Sequence, residues 1–132
     1  MAHDYTIADP IATTGEFKAA LLATRDWMGI SPTQLQMLQT QCRAQDCTIT
    51  ATQIKEQLGL KSVAAARLAY STFARAVADQ LGYAPPSSGK SPVRWWFALS
   101  VGRSEPDDQG SGEFEWIMRP ELAAALRSMK WA

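Results

Sequence analysis

The chain has 132 residues, and its 13 basic and 13 acidic side chains cancel to a net charge of zero. A hydrophobic content of 46% is too high for a disordered chain and enough for one core, so a single domain is expected. No apolar run reaches the ~18 residues a membrane-spanning helix needs, and the start "MAHDYTIADPIATTGEF" lacks the basic-then-apolar pattern of a secretory leader.

Residues 1–13 carry little periodicity and read as a flexible N-terminal arm. The next stretch predicts a helix over 14–28, with Thr14 as its cap, Phe17, Leu21, Trp27 and Met28 as its apolar positions, and Gly29 as its stop. Ser31 followed by Pro32 is a strong start signal for a second helix over about 32–44. Leu35, Leu38 and Cys42 form its stripe, and its many Gln residues point to a solvated outer face. A short extended piece then leads to Thr50, which caps a short helix over about 51–58 with Gln53 as its capping-box partner.

Ser62 opens a long helix that runs to about Leu81. Its residues Val63, Ala66, Tyr70, Phe73, Val77 and Leu81 recur at steps of three and four and so line one face. After "APPSSG", the run "RWWFALSVG" alternates in the rhythm of a strand, and so does "FEWIM". The loop between them is polar, so the two runs form a hairpin. Trp95 and Trp116 face inward on it, and Trp96 faces outward. Trp96 is expected against the N-terminal helix, with base stacking as the alternative, while Trp27 and Trp131 close the ends of the core. Pro120 starts a last helix over 120–130 with Leu122, Leu126 and Met129 inward.

The expected fold is therefore mainly α with a small β-hairpin, an α+β class. A short helix, a turn and a long helix make a helix-turn-helix, and the hairpin that follows makes it a winged helix-turn-helix over residues 14–132. The run "SPTQLQMLQTQCRAQDCTITATQIKEQLGLKSVAAARLAYSTFARAVADQLGY", then "WWFALSVG", then "FEWIMRPELAAALRSMKW", over about residues 31–131, resembles a small bacterial winged-helix module. Such modules stand alone or beside HNH nucleases in restriction and defence-type proteins. The resemblance implies a DNA-associated role. It does not extend to the nuclease, which needs clustered His and Asn: the only His is His3, and there is no Asn.

Charge is unevenly placed. Residues 1–40 carry a net of −2, residues 41–103 a net of +5 and residues 104–132 a net of −3. A local basic surface governs polyanion binding more than the total does. On the long helix, Arg67, Ser71 and Arg75 share one row, with Lys61 ahead of them and the small Ala64 and Ala78 beside them. Arginine pairs with guanine edges or phosphate, so this row is the candidate reading surface for double-stranded DNA. The plainer alternative is a solvated helix face with Arg75 paired to Asp79. Lys90, Arg94 and Arg103 flank the hairpin and can meet backbone phosphate, whereas Asp107, Asp108, Glu113 and Glu115 repel DNA from the hairpin tip. A neutral chain binds DNA modestly alone, so a homodimer through the helix 14–28 or a protein partner would strengthen the contact.

Catalytic chemistry is not expected. One His cannot supply a hydrolytic triad. The Gly-Lys-Ser of "SSGKSP" lacks the glycine five residues earlier that a phosphate loop requires, because Ala84 stands there. Cys42 and Cys47 fall short of a four-ligand zinc site, and reduced thiols fit a cytoplasmic chain. No metal and no cofactor is expected.

Overall fold

Hydroxyl caps decide where the first helices start. The computed structural model describes residues 10–85, 93–104 and 114–132. Thr13, Ser31 and Thr50 each accept the backbone N–H three residues on, and Glu16, Gln34 and Gln53 return a bond to the cap's own N–H. These boxes open α1 (Thr14–Met28), α2 (Pro32–Arg43) and α3 (Ala51–Leu58). The cap of α1 is thus Thr13, not Thr14, because Glu16 stands three residues beyond Thr13 and can close the box. Ser62 caps α4 (Val63–Leu81). Gly59 and Gly82 end α3 and α4 at φ +67° and +68°, a left-handed conformation that costs glycine nothing.

Three strands follow the same economy. β1 (Thr48–Thr50), β2 (Ser100–Ser104) and β3 (Phe114–Met118) form an antiparallel sheet in the order β1-β3-β2. Ile49 and Gly102 both stand opposite Trp116. The extended piece before α3 is therefore a full sheet member, which gives the hairpin a third strand and a second paired edge. α5 (Pro120–Ser128) closes the chain, two residues shorter than expected. The described residues form a mainly helical α+β fold with a small three-stranded sheet.

The alternation in "WWFA" does not produce a strand. Trp95–Ala98 is a 3₁₀ turn, and β2 begins only at Ser100. The turn packs along α4, and its three aromatics take separate partners: Trp95 meets Arg75 of α4, Trp96 meets Phe114 and Phe97 meets Arg119. Trp95 is half-buried and packs against the margin of the core. Trp96 lies against Phe114, ring centroids 4.8 Å apart, over Gly102. A methyl group on Gly102 would fall inside the Phe114 ring, so the absent side chain is what lets the aromatics cover the strand. Trp96 thus packs on the hairpin and not on the N-terminal helix. Trp27 does not close the core either: it is 82% exposed at the end of α1.

One core joins all layers. Phe17 and Leu21 of α1, Leu38 of α2, Ile54 of α3, Tyr70 and Val77 of α4, and Leu122 and Leu126 of α5 are fully buried together. At its centre is a polar network absent from the expected stripe. Gln41 is fully buried, so α2's glutamines are not all on a solvated face. Tyr70 Oη donates to Gln41 Oε1 at 2.7 Å and also meets Ser100 Oγ. Gln41 Nε2 donates to Ser100 Oγ at 3.0 Å and to the Trp116 carbonyl at 3.1 Å. The Tyr70 and Trp116 rings stack at 4.1 Å and 9°. Four elements, α2, α4, β2 and β3, meet at these side chains, which fixes the sheet against the helices in one register.

Arg119, between β3 and α5, is also buried. Its Nε donates to the Phe97 carbonyl at 3.0 Å, and its guanidinium lies 4.6 Å from the centroid of the Phe97 ring. Its backbone N–H donates to the Leu99 carbonyl. A charged side chain therefore pins the 3₁₀ turn to the start of α5. At the far end of α2, Arg127 of α5 donates to the Cys42 carbonyl at 3.3 Å, satisfying one carbonyl the helix end leaves open. Cys42 is buried and Cys47 half-buried, and both are free thiols. Burial pushes the Cys42 thiol above the usual range, against the pull of the Arg127 charge.

Candidate nucleic-acid interface

An amphipathic helix held on one side exposes the other, and α4 is held by α1, α3 and the 3₁₀ turn. Its buried line runs through Ala66, Tyr70, Phe73, Ala74 and Val77. Opposite that line stand Ala64, Arg67, Leu68, Thr72, Arg75 and Asp79, all exposed, with Ser71 partly so. Lys61 is exposed immediately before the cap. The structure thus brings Lys61, Arg67, Ser71 and Arg75 to one accessible side. Ala78 does not belong there: it is completely buried.

Arg75 is held. Its guanidinium carbon lies 5.1 Å from the centroid of the Trp95 ring. Among the described residues it makes no ion pair with Asp79; the one ion pair there joins Arg25 and Asp26 on the surface of α1. Stacking on an indole keeps the charge while removing much of the side chain's freedom. The Trp95 turn also carries Arg94, exposed, at its entrance. The base of the hairpin therefore adjoins the outward face of α4 near Arg75. Arg103 occupies β2 at the register position opposite Glu115 of β3. Lys90 lies outside the described residues, as do Asp107, Asp108 and Glu113 of the hairpin loop.

Of the two glutamines on α3, Gln53 is engaged in its capping box. Gln57 lines an open groove of about 540 Å³ between α2 and α3, together with Gln36, Gln39, Thr40 and Arg43. Among the described residues, no group of three or more His, Cys, Asp or Glu side chains is placed to hold a metal ion. No helix among them is long and apolar enough to cross a membrane.

Sequence reading missed Leu68, which is 68% exposed in the middle of this face. The signal was present: Leu68 falls between Ala66 and Tyr70 and belongs to neither step of the buried line. Gln41 was missed although it stands three residues after Leu38 and four after Met37, both buried. Arg119 carried no signal, since a charge after a strand ordinarily faces water.

No known protein family, no curated protein and no solved structure matches this chain.

Proposed function

We propose that the protein is a non-catalytic, winged-helix DNA-binding module that presents α4 to the major groove of duplex DNA. The observation that carries this reading is the outward face of α4, where Arg67 and Arg75 stand exposed on a helix whose other side is committed to the core. Its topology supports the reading. A short helix, a tight turn and a longer helix are followed by a hairpin, and the strand before the helix pair joins the hairpin in the order β1-β3-β2. Arg67 and Arg75 are two turns apart, about 12 Å along the axis, close to the ~12 Å width of the groove. The ends of the row meet the phosphate walls while Leu68 and Ser71 stay over base edges. Arg94 and Lys61 add backbone contacts at either end.

The test is a fluorescence anisotropy titration of random-sequence duplex at several salt concentrations. Each neutralised phosphate contributes a slope of about −0.9 in log K against log salt. Arg67→Ala with Arg75→Ala should weaken binding and reduce the slope by about two such units. A wild-type protein that ignores duplex DNA at low salt refutes the proposal.

A second reading has an observation of its own. Trp27 is 82% and Met28 68% exposed beside an open cleft of about 400 Å³ lined by Met28, Ile30, Thr72 and Phe73, among others. Large apolar side chains at a surface cleft suit a protein partner. On this reading the domain is an adaptor in an immunity, anti-defence or assembly role. A stoichiometric protein complex that survives charge reversal at Arg67 would favour it.

A further inference from the structure

Resting on the DNA-binding reading above, we propose that Leu68 makes α4 a reader of the C5-methyl group of pyrimidines, the group that thymine and 5-methylcytosine share. Leu21, Leu38, Leu99, Leu122 and Leu126 are completely buried, whereas Leu68 is 68% exposed. It is not a core leucine displaced to a margin. At about 100° per residue it lies roughly 20° around the helix from Arg75 and roughly 40° from Ala64 and Thr72, in the middle of the exposed arc. Its nearest neighbours on that arc, Ala64, Ser71, Thr72 and Arg75, are small, hydroxylic or cationic, with the acid Asp79 at the far end of the helix, so it is the one large apolar side chain on the outward face of α4. Of the two surface cavities described above, one lies between α2 and α3, and the other, beside the end of α1, reaches α4 at Thr72 without including Leu68.

The occupant follows from complementarity. A protein partner that covers a leucine offers an apolar pocket, and pockets of that kind extend over several side chains. The major groove offers the reverse: phosphate walls for the two arginines, hydrogen-bonding edges for Ser71 and Thr72, and one kind of apolar feature, the methyl at C5 of a pyrimidine. A lone leucine between two arginines matches that pattern group for group. Arg75, held on Trp95, sets the depth at which the helix seats and so the reach of Leu68, one turn and three residues earlier. Base pairs without the methyl leave Leu68 facing polar edges.

The experiment uses one randomised duplex pool, two helical turns long, made in three chemical forms. The first contains thymine, the second uracil in place of every thymine, and the third 5-methylcytosine in place of every cytosine. Affinities of the wild type and of Leu68→Ser are measured by anisotropy at one salt concentration. Burying one methyl group corresponds to about a fourfold gain in affinity. The wild type should bind the uracil pool about fourfold more weakly per contacted thymine, and the methylated pool more tightly. Leu68→Ser should flatten the series while keeping salt-dependent binding, and its exposure means the fold is unaffected. Equal wild-type affinity for all three pools, or discrimination that persists in Leu68→Ser, overturns the proposal and leaves DNA binding intact. No binding to any pool overturns the DNA reading and this proposal with it.

Discussion

Replacing Gln41 by Met keeps the length of the side chain and the helix propensity of α2, and removes only its polar atoms. Tyr70 then loses the acceptor at 2.7 Å, while Ser100 and the Trp116 carbonyl lose a donor at 3.0 and 3.1 Å. Each buried group left short of a partner costs about 1–3 kcal/mol. Tyr70 keeps Ser100 as a neighbour, so the summed cost is about 2–4 kcal/mol, a large share of the ~5–15 kcal/mol by which a domain is stable. In thermal unfolding this corresponds to a fall of about 10 °C. Tyr70→Phe leaves Gln41 Oε1 unpaired and should cost about 1–2 kcal/mol. The double variant removes both the donor and the acceptor, so its cost should be smaller than the sum by about 1 kcal/mol or more. Urea unfolding followed by tryptophan fluorescence measures all three, because Trp116 stacks on Tyr70 and reports the site. If the two single costs add to within about 0.5 kcal/mol, the side chains do not act as one network and the reasoning fails.

Four further outcomes follow from the same geometry. Burial holds the Tyr70 phenol above the ordinary tyrosine range, outweighing its hydrogen bonds with Ser100 and Gln41, which act in the opposite direction. The folded chain therefore keeps a proton that the unfolded chain releases above pH ~10, and stability that is complete below that pH falls by up to about 1.4 kcal/mol per unit above it. Melts at rising alkaline pH should show this decline, and Tyr70→Phe should make it shallower; an unchanged slope would contradict the assignment. Trp95→Leu should weaken duplex binding about two- to fivefold when Arg75 is present and hardly at all in an Arg75→Ala background, since stacking at an exposed site contributes about 0.5–1 kcal/mol. Arg119→Lys should lower stability in urea by about 2 kcal/mol, because an ammonium cannot both bond the Phe97 carbonyl and lie flat on its ring; a loss below about 0.5 kcal/mol would show that the planar group is dispensable. Trp27→Ser should shift stability by less than about 0.5 kcal/mol, and a larger loss would mean that the core extends over the end of α1.

Local chemistry made most of the helical frame readable. Ser31 with Gln34, Thr50 with Gln53, Ser62 with Ala65, and Gly82 with Ala78 mark helix ends by bonds between residues three or four apart in the chain, so these bonds form wherever the rest of the molecule goes. The buried line of α4 and the exposure of Arg67 and Arg75 follow from the 3.6-residue period alone. Trp95–Ala98 was illegible for the opposite reason. Alternation predicts a strand only if two sheet faces are available, and here the aromatics find partners distant in the chain, Arg75 for Trp95, Phe114 for Trp96 and Arg119 for Phe97.

The order of caps, stops and apolar steps along this chain was enough to determine five helices, their inward faces and a basic row on the longest of them. The tertiary structure alone decided what stands against each face. It buried Gln41 and Arg119, brought β1 beside β3, laid Trp95 beneath Arg75, and left Leu68 and Trp27 in the open. These outcomes join residues distant in the chain, and the free energy of a polar or apolar group depends on the neighbour that excludes water from it, which no local pattern specifies.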